Sequence, residues 1–145
     1  LTESHVASDP PRPEELTNAL GVVADHLDDV LRELPGIAEV RTVVGVAGTV
    51  TTVVAVELGM ATYRRELVHR FRLTRDAAED VFRTLATETL DDRVHNPGLP
   101  RERADVIVGG CCVLVGIMRR LGLDEIVVSE TDILDGVAAE LLAAG

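Results

Sequence analysis

Val43-Val44-Gly45-Val46-Ala47-Gly48-Thr49-Val50-Thr51-Thr52 is the stretch on which the fold turns. A short valine run reads as a buried strand. It breaks at Gly48 and gives way to hydroxyl residues, then to a new apolar run, Val53 to Leu58, with helical spacing. Strand, glycine, hydroxyls, helix start is a build that presents backbone N–H groups and the positive end of a helix dipole to a phosphate. Glycine lets the backbone approach closely, and the threonines can cap the helix or touch a ligand. No lysine follows the glycines, so the stretch is not a P-loop. The same build also serves as a plain strand-to-helix turn.

Outward from this stretch, the chain alternates helices with few strands. Leu1 to Pro13 is polar and proline-punctuated and reads as a linker or loop. Leu16, Ala19, Leu20, Val23, Leu27, Val30, Leu31 and Leu34 recur at helical spacing. Pro13, Glu14 and Glu15 suit the first turn, and Pro35-Gly36 stops that helix. Val40 to Ala47 is the first strand, and the helix after Gly48 runs to about Gly59. Met60 to Leu73 is the most basic stretch, with Arg64, Arg65, His69, Arg70 and Arg72; it reads as a solvated extended connection or as a surface that meets a substrate or partner. Thr74 is an N-cap, with Ala78, Val81, Phe82 and Leu85 on one apolar face of the next helix. Asn96-Pro97-Gly98 is a turn. Arg101 to Leu121 reads as one largely apolar helix, Glu125 to Ser129 as a second strand. Asp132 starts a closing helix with Ile133, Leu134, Val137, Leu141 and Leu142 facing inward.

This order predicts an α/β fold with parallel strands and flanking helices. Two strands are too few for such a sheet, and parallel sheets need both faces covered. The neighbouring strands are therefore expected before Leu1, which is itself not a methionine and suggests a piece of something longer. An isolated chain would expose a sheet edge, pair with a second copy as a homodimer, or rearrange.

Composition narrows the function. The chain has 145 residues, 46% of them apolar, enough for one domain with a core. Aromatics are 2% and the formal net charge is −11, which speaks against nucleic-acid binding by base stacking or by a general positive field. All 14 basic residues are arginine, which removes any lysine-based chemistry within the chain. Adjacent Cys111 and Cys112 read as reduced core residues of a cytoplasmic protein. No signal peptide and no membrane-spanning run is visible.

The second informative segment is Arg103-Ala104-Asp105-Val106-Ile107-Val108-Gly109-Gly110. Two glycines within an apolar helix cost roughly 1 kcal/mol each relative to alanine. Close approach of a helix, a sheet or a ligand would offset that cost. Arg103 and Asp105 are two apart and so aim at different partners. His5, His26, His69 and His95 lack metal-pair spacing, and no serine sits in an elbow motif.

These residues together carry a resemblance. Gly48-Thr49-Val50-Thr51-Thr52, Leu73-Thr74, the run Asn96-Pro97-Gly98-Leu99-Pro100-Arg101-Glu102-Arg103 through Gly110, Val128-Ser129 and Asp135-Gly136 resemble the exopolyphosphatase/guanosine pentaphosphatase (Ppx/GppA) family, in order and over nearly the whole chain. Leu1-Thr2-Glu3 with Asp9-Pro10-Pro11 looks like that family's segment after its glycine-rich phosphate loop. The resemblance implies an actin-like, sugar-kinase-like fold of two ribonuclease-H-like halves. Residues 1–13 would be linker and residues 14–145 the C-terminal part of the second actin-like domain, an incomplete ribonuclease-H-like unit with its first strands missing. The N-terminal domain, the catalytic glutamate and the ligands of the usual Mg2+ would lie outside this chain. The implied activity is hydrolysis of terminal phosphoanhydrides of inorganic polyphosphate. Guanosine pentaphosphate hydrolysis, or a non-catalytic module sensing phosphate compounds, are the alternatives. Gly48, Thr49 and Thr51 would border the cleft. Gly109 and Gly110 match the glycine pair where a nucleotide base or ribose would sit, and Arg103 would contact a distal phosphate. Catalytic and metal-binding residues are expected to be absent, and the chain alone inactive. Where relatives carry Gly-Leu-Arg-x-Gly, this chain has Asp132-Ile133-Leu134-Asp135-Gly136, so Asp135 replaces a basic position. That exchange bears on phosphate contact there and on substrate preference.

Overall fold

In a computed structural model, which describes residues 1–131 and 133–143, the chain opens with a short helix, α1 (Thr2–His5), inside the segment read as linker. Helix α2 (Pro13–Glu33) follows with proline in its first turn, as expected. The Glu15 carboxylate accepts the Arg12 N–H at 2.8 Å and the Ala7 and Ser8 N–H groups at 3.2 and 3.1 Å, folding the leading segment onto the helix start. A 3-10 turn (Pro35–Glu39) leads to strand β1 (Val44–Gly45), then α3 (Gly48–Glu57).

Met60 to Leu73 is not a simple extended connection. It holds helix α4 (Arg65–Val68) and enters strand β2 (Arg72–Thr74), with Val68 and Leu73 fully buried. Helices α5 (Arg75–Thr87) and α6 (Leu90–Arg93) come next, each N-capped by a threonine hydroxyl, Thr74 on the Ala77 N–H and Thr89 on the Asp92 N–H. The expected helix over 101–121 divides into a 3-10 turn (Arg101–Arg103) and helix α7 (Ile107–Arg120). Strand β3 (Glu125–Val128) and helix α8 (Ile133–Ala143) close the chain.

The sheet order is β1-β3-β2. β1 and β3 are parallel, with Val44 opposite Val127 and Gly45 opposite Val128. β2 runs antiparallel to β3, with Leu73 opposite Ile126. The all-parallel expectation is thereby corrected to a mixed sheet. The strand read over 40–47 pairs only at Val44 and Gly45. Among the described residues β1 pairs on one side only, and Val44 is 54% exposed.

Helix α7 is the hub, packed by α2, α5 and α3. Its Cys111, Cys112, Val115 and Met118 are fully buried. Close approach explains its glycines: a Cβ on Gly116 would lie 2.6 Å from Val23 Cγ1 of α2. Both thiols are free, and burial pushes Cys111 up to about 12 and Cys112 up to about 11. The inward face read on α2 holds at Ala19 and Val23 but not at its far end, where Val30 and Leu34 are exposed. The closing helix differs more: Val137, Leu141 and Leu142 are exposed rather than inward. Asp132 lies outside the described residues, as do the side chains of Ile133 and Leu134.

Candidate phosphate-binding site

The chain changes direction at Ala47, the N-cap of α3, whose φ of 70° and ψ of 177° place a non-glycine residue in a sparsely populated region. Such a conformation costs on the order of 1–3 kcal/mol and persists only where its surroundings hold it. Among the described residues no side chain caps α3, which leaves its first N–H groups without a side-chain acceptor. The Thr51 hydroxyl turns back instead, toward the Gly48 carbonyl at 3.3 Å and the Ala47 carbonyl at 3.4 Å.

Arg103 lies directly against this helix start. A Cβ built on Gly48 would fall 1.9 Å from Arg103 Nη1 and 2.3 Å from its Cζ, so the guanidinium occupies the space a side chain would need. Arg103 is half-buried, and its guanidinium makes no hydrogen bond or ion pair among the described residues. Arg32, Arg72, Arg83, Arg119 and Arg120, by contrast, each face a carboxylate. An unneutralised guanidinium at the positive end of a ten-residue helix is a place where an anion is favoured.

The start of α7 completes the wall. A Cβ on Gly110 would lie 2.7 Å from Thr49 Oγ1, and one on Gly109 would lie 2.2 Å from Thr2 Oγ1. Thr2 Oγ1 in turn donates to the Val106 carbonyl at 3.5 Å. Gly48, Thr49, Arg103, Gly109 and Gly110 are thus one cluster, with Thr51 one turn further along α3. Asp105 is exposed and lies before the start of α7.

Two side chains at this wall escaped sequence reasoning. Tyr63, the single tyrosine, donates to Glu130 Oε1 and adjoins the Thr51 hydroxyl, linking the end of β3 to the first turn of α3. Burial first, then the Glu130 carboxylate, push its phenol up to about 12. Arg65 donates to the Glu130 carbonyl at 3.1 Å, and His69 Nδ1 accepts the Glu130 N–H at 3.3 Å. A cavity of about 410 Å3 lined by Arg65, Glu66, His69 and Thr131 lies there. The basic stretch that holds Tyr63, Arg65 and His69 therefore has partners of its own: Arg64 with Glu66, Arg65 with Glu130, Arg72 with Glu125. The other missed residue is Arg93, 3% exposed beneath the 3-10 turn that carries Arg103. Its only sequence signal is a cation following Asp91 and Asp92 in a short helix.

Among the described residues no group of three or more His, Cys, Asp or Glu side chains could hold a metal ion. The described residues supply no carboxylate cluster for the magnesium that the resemblance implies, whose ligands the resemblance places outside this chain. No described helix is long and apolar enough to cross a membrane.

The fold is shared with solved structures. A crystal structure of an exopolyphosphatase-like protein superposes with a TM-score of 0.91 at 29% identity, over 97% of this chain and 46% of that one. A Ppx/GppA protein of Aquifex aeolicus superposes with a TM-score of 0.85 at 25% identity, over 99% of this chain and 46% of its own. By sequence, the chain is 37% identical over 145 residues to Exopolyphosphatase 2 of Mycobacterium tuberculosis, covering 97% of this chain and 45% of that protein. The chain thus spans about half the length of the relatives it matches. The model of the Ppx/GppA phosphatase family matches residues 1–144, and the chain belongs to that family.

Proposed function

We propose that this chain forms one wall of the cleft of a two-lobed, actin-like phosphoanhydride hydrolase that releases terminal phosphate from inorganic polyphosphate. The observation that carries the reading is the unpaired Arg103 guanidinium lying on Gly48 at the uncapped start of α3. A bound phosphate oxygen would receive N–H donors from the helix start and from the guanidinium, both set before the ligand arrives. The glycines at 109 and 110 leave room beside it for Thr2 and Thr49. The carboxylate that orients the attacking water, and the ligands of magnesium, belong in this reading to the other lobe, so the 145-residue chain binds without turnover.

The test is phosphate release from long-chain polyphosphate by the full-length protein with magnesium, against guanosine pentaphosphate as the competing substrate. Faster turnover of polyphosphate is expected. Arg103→Ala should raise KM by about tenfold or more, the usual loss for a charge-assisted contact to phosphate. Failure to release phosphate at any chain length would sink the reading, and a preference for guanosine pentaphosphate would move it to the nucleotide branch.

A further inference from the structure

Arg93 is a buried cation with an unusual set of partners. Its Nε donates to the Leu85 carbonyl at 2.7 Å, Nη1 to the Ala104 carbonyl at 2.9 Å and Nη2 to the Glu88 carbonyl at 2.7 Å. Leu85 is in the last turn of α5 and Glu88 is its C-cap, so two of these bonds satisfy carbonyls that a helix end leaves open. The third reaches across to the residue directly after Arg103. The nearest countercharge, Asp9 Oδ1, stands 3.7 Å from Nη2, and both oxygens of that carboxylate face the Leu90 N–H at 2.9 Å. Burying a cation is costly unless its donors are met in good geometry, and only a planar fork reaches three carbonyls lying in different directions.

The segment thus held is the one that presents Arg103. Arg103 N–H donates to the Pro100 carbonyl at 2.9 Å and Ala104 N–H to the Arg101 carbonyl at 3.3 Å, closing the 3-10 turn. Upstream, Gly98 packs so tightly on α3 that a Cβ there would lie 2.2 Å from the Ala55 carbonyl oxygen. The loop is therefore tied to α3 at Gly98 and to α5 through Arg93. Among the described residues the Arg103 guanidinium has no side-chain partner, so its place on Gly48 is set through its backbone.

We infer that Arg93 is a positioning residue: by holding the Ala104 carbonyl it aims the Arg103 guanidinium at the start of α3 and at a phosphate bound there. The inference rests on the phosphate role proposed for Arg103.

The test is a double-mutant cycle in the full-length protein, with the dissociation constant of inorganic tripolyphosphate read by calorimetry and the fold followed by thermal melting. Arg103→Ala should weaken binding about tenfold, and Arg93→Lys, which keeps the charge but not the fork, about three- to tenfold. In the double variant Arg93→Lys should add less than about twofold, because the group it aims is gone. Arg93→Lys should likewise raise KM with kcat little changed. Full additivity, or wild-type binding by Arg93→Lys, overturns the inference and leaves the role of Arg103 standing. Wild-type binding by Arg103→Ala overturns both. If Arg93→Lys does not fold, Arg93→Gln enters the same cycle; if neither folds, Arg93 serves the whole fold and the inference falls.

Discussion

At the residue scale, two glycines that pack closely against neighbours should respond oppositely to the same change. Gly98 has φ of 87°, and an added Cβ would meet backbone, the Ala55 carbonyl oxygen at 2.2 Å. Neither a left-handed backbone nor a helix carbonyl can give way cheaply, so Gly98→Ala should destabilise by about 2–4 kcal/mol, read as a shifted denaturation midpoint. At Gly48 the obstacle is only the far end of a flexible side chain, Arg103. Gly48→Ala should therefore change stability by less than about 1 kcal/mol while displacing the guanidinium, so that tripolyphosphate binding weakens about as much as in Arg103→Ala. Unchanged binding by a folded Gly48→Ala variant would separate Arg103 from the anion. The cysteines give a third case. Thiols pushed up to about 12 and 11 by burial hold almost no thiolate at neutral pH, so a thiol reagent should label Cys111 and Cys112 only as the native fold opens. Rapid labelling of the native protein would contradict that burial.

At the scale of elements, the clearest electrostatic link is between α5 and α7, where Arg119 Nε donates to Glu79 Oε1 at 2.8 Å. That hydrogen bond, ahead of burial acting the other way, holds the Glu79 carboxyl below the usual carboxylate range. A carboxylate whose pKa is lowered in the folded state stabilises fully above its unfolded pKa and loses that contribution as pH falls through the folded one. The urea midpoint should therefore drop on acidification through the carboxylate range, and Glu79→Gln should flatten part of that drop; an unaltered profile would show that the pair contributes nothing. Elements with strong periodicity were legible in sequence: α2 begins at Pro13, and α5 buries Ala78, Val81, Phe82 and Leu85 behind a Thr74 cap. β2 was not, because in Arg72-Leu73-Thr74 a single buried leucine gives no period to read. α8 was misread for a different reason. Its apolar residues imply a partner, but pattern cannot say whether that partner is in the same chain, and Leu142 is 84% exposed. The candidate site was legible only through several motifs taken together. The contact of Gly48 with Arg103 joins segments far apart in sequence, and the bonds of Arg93 run to main-chain carbonyls, which leave no mark in residue types.

At the scale of the whole molecule, a formal net charge of −11 has to coexist with the phosphate site proposed at the α3 start. The two effects act over different ranges. Salt at about 0.1 M screens charges beyond roughly 10 Å, so it removes the repulsion between the ligand and distant carboxylates. It weakens contacts to a guanidinium and helix N–H groups at hydrogen-bond distance far less. A basic binding surface behaves otherwise: it loses affinity steeply with salt, in proportion to the phosphates it neutralises. Most arginines are matched to carboxylates among the described residues, and of the unpaired ones Arg103 is the one that lies against Gly48 at the α3 start. Tripolyphosphate binding to this chain should accordingly change by less than about threefold between roughly 20 and 150 mM salt. The same calorimetric samples of the 145-residue chain, given polyphosphate and magnesium, should release no phosphate, since among the described residues no carboxylate faces the Arg103 guanidinium to orient water. A fall of ten- to a hundredfold in affinity over that salt range would mean that a basic surface elsewhere in the protein, rather than this wall, does the binding.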